Sequence, residues 1–201
     1  MSGHDPVWGL VLAGGESRRM GSDKALLKRD GHTQLGRSVE LLERHVERAF
    51  VSARAEQAGE PERSRFPQIV DRYSGIGPVA GILSALQENR NVSWLVLACD
   101  LPNVDDATID FLLTHRSPDH PFTAFRSSYD GLPEPLCAIY RPESRATIED
   151  FVQNGIICPR KMLIRSDTHL LQQPDPSALD NVNTPDDLVR TGMTAASGAK
   201  H

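Results

Sequence analysis

The stretch VWGLVLAGGESRRMGSDKALL, residues 7–27, joins a strand-length apolar run to a short loop rich in glycine and positive charge. The run, Val7–Ala13, ends at Gly14 and Gly15, which lack a Cβ and let backbone N–H groups approach phosphate oxygens closely. Three cations follow in the same loop: Arg18, Arg19 and Lys24. Arginine and lysine neutralise anionic charge that backbone dipoles alone do not, so the stretch predicts an anion-binding loop at the end of a strand.

The rest of the chain alternates strand-length apolar runs with helical patterns, which is typical of a parallel sheet with crossover helices. Predicted strands cover 7–13, 49–53, 68–71, 94–98, 122–125 and 134–140. Predicted helices cover 33–48, 79–89, 105–116, 142–154 and 159–163, and a last one begins at 185. The turn at 129–131 predicts that the last two strands pair antiparallel at the edge of the sheet. We expect one α/β domain over residues 1–193 and a disordered tail over 194–201.

Length and composition fit a single globular domain that acts on a small anion. The chain has 201 residues, 39% hydrophobic and 24% charged, so it can bury a full core. Its formal net charge of −5 provides no global positive field for nucleic acid. The three cysteines lack a CxxC pair, which predicts reduced thiols in a cytoplasmic protein. The amino-terminal apolar stretch is too short for export or membrane spanning, so no membrane partner is expected.

The glycine-rich loop matches neither of the two common phosphate-binding motifs. A P-loop ends in Gly-Lys followed by Ser or Thr, whereas Gly21 is followed by Ser-Asp-Lys. A dinucleotide-binding fingerprint needs three glycines at its own spacing, which this loop does not provide. The predicted anion-binding loop is therefore neither a P-loop nor a dinucleotide-binding fingerprint.

Three further polar positions flank predicted strands or helices. Asp100 follows the most apolar strand, at the carboxyl edge where open α/β sheets bind ligands, and the alternative is a turn or helix-capping aspartate. Asp71 also ends a strand, and the alternative is a salt bridge to Arg72 or a turn cap. Asn181 and Asn183 alternate in NVNTPDDL and face the same way if the segment is extended. The alternative for both asparagines is that they only satisfy loop backbone.

Residues 10–27, LVLAGGESRRMGSDKALL, resemble the signature LAGGxSRRMGxDKxLL of the molybdenum cofactor guanylyltransferases, which belong to the nucleotidyltransferase superfamily. The resemblance extends from Leu12 to Leu188 and includes segments similar to the family's CDxP, GPLAG and NxNTP motifs. It implies a single Rossmann-like, three-layer α/β domain with a mostly parallel sheet. It also implies transfer of GMP from GTP to the molybdenum cofactor (molybdopterin), giving molybdopterin guanine dinucleotide and pyrophosphate.

The same resemblance implies roles for individual residues. Arg19, Lys24 and Asp100 would be catalytic, Asp100 would bind Mg²⁺, and Asn183 would contact the acceptor. The implied nucleotide-binding set is Leu12, Ala13, Gly14, Gly15, Lys24, Ser52, Asp71, Gly77 and Asp100. GTP and the molybdenum cofactor would be the small-molecule partners. Other proteins of molybdenum cofactor biosynthesis and recipient molybdoenzymes would be the protein partners.

Three positions bear on which member of the superfamily this is. Ser52 stands where the family usually has asparagine, and the segment LPEPL, residues 132–136, differs from the more common HPT-type sequence near the acceptor. Related cytidylyltransferases resemble LAAG where this chain has LAGG, and Gly15 leaves room for a purine, which favours GTP over CTP. The alternatives are a cytidylyltransferase of the same cofactor, a sugar-phosphate nucleotidyltransferase, or a non-catalytic nucleotide-binding module. The presence of Asp100 favours an enzyme over a module.

Overall fold

A computed structural model describes residues 5–13, 23–181 and 194, and in them a seven-stranded sheet and a separate two-stranded hairpin carry the fold. The strands are β1 (Val7–Leu12), β2 (Lys28–Arg29), β3 (His32–Thr33), β4 (Ala49–Ala53), β5 (Gln68–Val70), β6 (Ser93–Ala98), β7 (Phe122–Arg126), β8 (Pro133–Tyr140) and β9 (Thr168–Gln172). The α-helices are α1 (Gln34–Glu43), α2 (Pro78–Glu88), α3 (Asp106–Thr114), α4 (Ser144–Gln153) and α5 (Pro159–Ile164). The hairpin consists of β2 and β3.

The large sheet is mostly parallel, with the strand order β5-β4-β1-β6-β8-β7-β9. Only β8 runs antiparallel to its neighbours, β6 and β7. The predicted antiparallel pairing of β7 with β8 is therefore confirmed. Its predicted position at the sheet edge is wrong, because β9 pairs in parallel with the outer side of β7. The sequence pattern does not reveal β9, since only Leu171 of its five residues is buried.

Helices cover both faces of the sheet, so the predicted three-layer α/β architecture is confirmed. Side chains of β6 alternate between the two faces: Leu95 and Leu97 pack with α1 and α3, while Trp94 and Val96 pack with α2, α4 and α5. All six residues of β6 are buried, as expected for a central strand covered on both sides.

The first crossover helix, α1, begins where the sequence predicts and ends earlier. Thr33 caps its start, because the hydroxyl oxygen accepts a hydrogen bond from the Gly36 N–H at 3.0 Å. The helix is predicted to reach residue 48 but ends at Glu43. The Leu42 carbonyl accepts from the His45 N–H at 2.9 Å in a tighter final turn, and the chain then enters β4.

An aromatic cluster lies at the amino ends of the central strands. Trp8 on β1, Phe50 on β4 and Trp94 on β6 have ring centroids 5.6 to 5.8 Å apart, and Trp94 meets both partners edge-on. Such tilted and edge-to-face contacts suit the ring quadrupoles and add to the burial of apolar area. The cluster therefore anchors the end of the sheet opposite to the one where the strands exit.

The chain returns near its carboxyl end to the small hairpin. Thr194 and Lys28 exchange two backbone hydrogen bonds, with N–O distances of 2.7 and 2.8 Å. Thr194, the first residue of the predicted tail, is thus paired with β2. The remaining tail residues, 195–201, lie outside the described residues.

Candidate active site

The carboxyl ends of β5, β4, β1 and β6 lie side by side and form the base of the site. Leu12 is in register with Ser52 on β4 and with Ala98 on β6, and Ser52 is in register with Ile69 on β5. The Ala13 N–H continues this row by donating to the Ser52 carbonyl at 3.2 Å. Three of the predicted nucleotide-binding residues therefore lie at one edge of the sheet, where parallel α/β sheets bind ligands.

Lys24 and Asp100 come together at this edge although they are distant in sequence. The Lys24 Nζ lies 3.6 Å from Asp100 Oδ2, and the Asp100 side chain is 26% exposed. Burial raises the pKa of the Asp100 carboxyl above its usual range, and the nearby Lys24 ammonium offsets part of that shift. The other carboxylate oxygen, Oδ1, is buried and has no hydrogen-bond partner among the described residues.

Asp100 is not a helix cap, because Asp105 takes that role for α3. The Asp105 carboxylate accepts from the N–H of Thr108 at 2.9 Å and from its hydroxyl at 2.7 Å. The helix-capping alternative for Asp100 is thereby contradicted, whereas Asp100 does lie in a turn after β6, so the turn alternative stays open. Asp100 keeps its carboxylate at the mouth of the site.

Ser52 and Asp71 form a second pair at the ends of β4 and β5. The Ser52 hydroxyl donates to Asp71 Oδ1 at 2.7 Å. Burial raises the pKa of the Asp71 carboxyl, and the Ser52 hydrogen bond opposes that shift. Arg72 instead contacts Glu88 on α2, with Nη2 and Oε2 2.5 Å apart, so the predicted alternative of an Asp71–Arg72 salt bridge is wrong.

The start of α2 faces the same edge. Gly77 is the residue before the helix and has φ +59° and ψ −141°, a conformation that a residue with a Cβ rarely adopts. Gly81, one turn into the helix, packs against β1 and β4: a Cβ added there would lie 2.2 Å from Ser52 Oγ and 3.0 Å from Leu12 Cδ2. A glycine at 81 is what lets α2 approach the ends of these two strands.

Arg63 is a functional candidate that the sequence analysis misses. It lies in the polar segment GEPERSR between β4 and β5, yet its side chain is 0% exposed. Its Nη2 donates to the Ala13 carbonyl at 2.5 Å and to Asp23 Oδ2 at 2.7 Å, and its Nη1 donates to Glu60 Oε2 at 3.2 Å. The sequence offers no signal for this burial, because the segment resembles an ordinary solvated loop.

Several predicted site residues lie outside the described residues: Gly14, Gly15, Arg18, Arg19 and Asn183. Their roles stay predictions. Neighbouring positions are described: Ala13 and Asp23 border the glycine-rich loop, and Asn181 is the first residue of the NxNTP segment.

A cavity of about 220 Å³ opens beside this edge of the sheet. Its lining includes Pro78 at the start of α2, Leu101 next to Asp100, Leu136 on β8, Cys158 and Asn181. Glu134, Pro135 and Leu136 of the segment LPEPL thus border the cavity. The position of this segment near the second substrate stays a prediction. Cys158 is an exposed free thiol, whereas Cys99 and Cys137 are buried.

Two properties of the described residues concern membrane spanning and metal binding. Residues 5–13 and 23–181 contain no helix that is long and apolar enough to cross a membrane. In the same ranges, histidine, cysteine, aspartate and glutamate side chains form no cluster of three or more suited to a metal ion. Magnesium needs only one or two protein carboxylates, because it keeps several waters and binds substrate phosphates.

Solved structures with the same fold identify the class of the protein. Molybdopterin-guanine dinucleotide biosynthesis protein A from Archaeoglobus fulgidus superposes with a TM-score of 0.77 at 26% identity, covering 92% of this chain and 96% of that one. A CMP-2-keto-3-deoxy-manno-octonic acid synthetase complexed with CTP shares the fold alone, with a TM-score of 0.71 at 13% identity, covering 92% and 96% of the two chains. The fold and the polar row at the strand ends define a nucleotidyltransferase.

The family within this class follows from the sequence. The family model of the MobA-like NTP transferase domain matches residues 9–170, and the chain belongs to that family. A bifunctional molybdenum cofactor biosynthesis protein of Synechocystis is 36% identical to this chain over 182 residues. The aligned residues cover 90% of this chain but only about half, 52%, of the relative's length. A probable molybdenum cofactor guanylyltransferase of Opitutus terrae is 38% identical over 73% of this chain and 72% of its own.

Proposed function

We propose that this protein transfers GMP from GTP to the molybdenum cofactor (molybdopterin), forming molybdopterin guanine dinucleotide and pyrophosphate. The observation that carries the proposal is the Lys24–Asp100 pair at the strand ends, in a chain whose relatives include probable molybdenum cofactor guanylyltransferases. A cation and a carboxylate at one edge supply what phosphoryl chemistry needs: a contact for the triphosphate and a ligand for its metal.

The nucleotide would occupy the row of strand ends. Backbone at Leu12–Gly15 together with Arg19 and Lys24 would hold the triphosphate, while the Ser52–Asp71 pair and Gly77 would contact the nucleoside. The Ser52 hydroxyl already donates to Asp71, so it keeps an acceptor lone pair for the ligand. Gly15 favours a purine base over a pyrimidine, because the related cytidylyltransferases resemble LAAG where this chain has LAGG.

The transfer would proceed without a covalent protein intermediate. A terminal phosphate oxygen of the acceptor attacks the α-phosphorus in line, a new P–O bond forms, and the bond to the β-phosphate oxygen breaks to release pyrophosphate. The catalytic contribution is positioning and charge stabilisation. Burial raises the pKa of Cys99 and of Cys137 to about 12, so neither thiol supplies a thiolate nucleophile near neutral pH.

Asp100 fits the role of a ligand for Mg²⁺. Its buried Oδ1 has no hydrogen-bond partner among the described residues, and its partly exposed side chain leaves room for phosphate oxygens. A bound magnesium ion would neutralise charge on the phosphates as it develops in the transition state. The Lys24 ammonium beside Oδ2 then neutralises the remaining phosphate charge.

The acceptor would bind in the 220 Å³ cavity, next to the Asp100 strand end. The cavity combines apolar walls, such as Leu101 and Leu136, with polar groups at Arg160 and Asn181. Asn183 follows this lining closely in sequence, which supports its predicted contact with the acceptor. Recipient molybdoenzymes and other proteins of the same biosynthesis would be the protein partners that take up the product.

The test is nucleotide selectivity and turnover on one preparation. Calorimetric titration with GTP, CTP, ATP and UTP in Mg²⁺ should show tightest binding of GTP, and GTP with molybdopterin should give the dinucleotide and pyrophosphate. Preferential binding and turnover of CTP would instead establish the cytidylyltransferase alternative. Nucleotide binding without turnover of any acceptor would establish the non-catalytic module.

Two substitutions test the residues that carry the proposal. Lys24→Ala removes a phosphate contact and should lower the transfer rate about 10² to 10³-fold, as expected for the loss of one electrostatic contact to the transition state. Asp100→Asn should leave weakened GTP binding while dinucleotide formation collapses. Arg29→Ala on β2, beyond the loop, is the matched cation control and should change neither. Full activity per folded molecule in Asp100→Asn would remove the metal role.

A further inference from the structure

Arg63 is a fully buried cation, and two of its three side-chain partners, Ala13 and Asp23, border the glycine-rich loop. Burying a guanidinium costs several kcal/mol unless ionised partners and hydrogen bonds compensate. Both of its carboxylate partners, Asp23 and Glu60, are 27% exposed, so the ion pairs connect a surface segment to the interior. Its Nε has no partner among the described residues. Because burial of the charged side chain is costly, the residues that Arg63 contacts indicate a role beyond packing.

Two of the three side-chain partners of Arg63 are the residues that border the glycine-rich loop. One nitrogen, Nη2, bonds both the carbonyl of Ala13, at the end of β1, and the carboxylate of Asp23. The entry and the exit of the loop are thereby joined through a single planar group. Glu60 fixes Arg63 from the other side, since its Oε2 accepts from both Nη1 and the Arg63 backbone N–H, the latter at 3.0 Å.

Asp23 links the Arg63 side chain to the backbone around Lys24. Its Oδ2 binds Arg63, and its Oδ1 accepts from the Ala25 N–H at 3.0 Å, which caps a 3₁₀ helix over Lys24–Leu26. The helix begins at Lys24, whose Nζ lies 3.6 Å from Asp100 Oδ2. One carboxylate therefore connects the end of β1 to the residue that faces Asp100.

We propose that Arg63 is a positioning residue for nucleotidyl transfer, which joins Ala13 to Asp23 and so holds Lys24 against Asp100. The inference rests on the proposed function. It also gives a role to the aspartate that precedes Lys24: Asp23 contacts the buried arginine and caps the 3₁₀ helix that begins at Lys24.

The primary variant is Arg63→Lys, which keeps the charge but has one nitrogen in place of a planar fork and cannot reproduce all three side-chain contacts. Displacement of Lys24 by about 1 Å lowers the transfer rate about 10²-fold. GTP affinity should fall by less than the rate does, because Lys24 contacts the triphosphate while the Ser52–Asp71 pair and the strand-end backbone are untouched. A loss that is larger in kcat than in GTP affinity separates positioning from general destabilisation.

Arg65→Lys is the matched control. Arg65 lies in the same 3₁₀ helix, is 66% exposed and contacts Glu62 at 2.9 Å, away from the loop. The Arg65→Lys substitution should leave kcat, GTP affinity and melting temperature unchanged. Rates for all variants are expressed per folded molecule, from circular dichroism and thermal unfolding.

A double-mutant cycle with Lys24→Ala gives the decisive readout. If Arg63 acts through Lys24, Arg63→Lys should cost less than about 3-fold in the Lys24→Ala background, because nothing remains to be positioned. Equal, additive losses in both backgrounds would overturn the inference. Should Arg63→Lys fail to fold, Asp23→Asn replaces it in the cycle, since it keeps an acceptor for the helix cap and weakens only the ionic contact.

The two proposals fail in different ways. If the wild-type protein forms no dinucleotide and binds no nucleotide, the proposed function falls and the inference falls with it. If the wild-type protein is active and Arg63→Lys keeps wild-type kcat per folded molecule, only the inference falls. Wild-type activity with a kcat loss that disappears without Lys24 supports both.

Discussion

Gly81→Ala tests how closely α2 must approach the strand ends for the site to form. The new Cβ would lie 2.2 Å from Ser52 Oγ and 3.0 Å from both Ser52 Cβ and Leu12 Cδ2. Rotating the Ser52 side chain would relieve the contact with Oγ but would break its hydrogen bond to Asp71. The contact with Ser52 Cβ remains after such a rotation, so the backbone of α2 or β4 must shift.

The expected magnitudes differ sharply between stability and activity. Overpacking of this kind costs about 1–3 kcal/mol, and replacing a helical glycine by alanine returns about 1 kcal/mol. A net loss of about 1 kcal/mol lowers Tm by about 2–4 °C in a protein of this size. A displacement of Ser52 by about 1 Å should lower the transfer rate about 10²-fold.

The assay measures Tm, GTP affinity and transfer rate on one preparation. Gly59→Ala is the matched control: Gly59 is exposed, has no heavy atom within 4 Å of an added Cβ, and should keep full activity. A Gly81→Ala protein with wild-type rate and Tm would show that α2 can retreat at no cost. That result would refute the close approach as a requirement of the site.

Three further predictions concern single groups. Burial raises the pKa of the Asp71 carboxyl above its ordinary value of 3.8. The free energy of unfolding, and with it Tm, should therefore fall as the pH rises from 3.8 through the pKa of the folded state. The Asp71→Asn protein should not show this fall in Tm. A bulky maleimide should label native protein at Cys158 alone, by mass spectrometry, and the labelled protein should bind GTP in calorimetry but not transfer GMP. Asp105→Ala should cost about 1 kcal/mol through loss of the α3 cap, with activity per folded molecule intact.

Each of these has an outcome that contradicts it. Parallel pH profiles of Tm for wild type and Asp71→Asn would show that Asp71 is not the group responsible. Retained transfer after complete labelling of Cys158 would place the acceptor elsewhere, and a Cys158→Ser protein treated with the same reagent controls for side reactions. A loss of catalysis in Asp105→Ala would mean that α3 positions the Asp100 strand exit.

The strand ends that build the site follow directly from the sequence, because hydrophobic runs and the residues that stop them are local features. Asp71 and Asp100 each follow such a run, and both lie at the carboxyl edge. The side chains that contact these two aspartates cannot be predicted from local sequence. Ser52 and Asp71 are adjacent only because β4 and β5 pair in parallel, and Lys24 lies beside Asp100 in the fold although the two are distant in sequence.

Two larger features escape the sequence for a related reason. Arg63 lies in a segment with four charged residues among seven, a composition typical of a solvated loop, and its burial depends on Ala13 and Asp23, which are distant in sequence. β9 is short and mostly half-buried, so its hydrophobic signal is weak. The strand β9 forms because it pairs in parallel with the free edge of β7, a contact between residues that are distant in sequence.

The aromatic cluster has a consequence for spectroscopy. Trp8 and Trp94 are the two tryptophans of the chain, and both lie at the amino ends of their strands. Leu12 and Ala98, at the opposite ends, are about 13 Å away at about 3.3 Å per residue. Indole fluorescence therefore reports the integrity of the sheet and not occupancy of the strand exits. Unfolding curves read from tryptophan emission remain directly comparable with and without nucleotide.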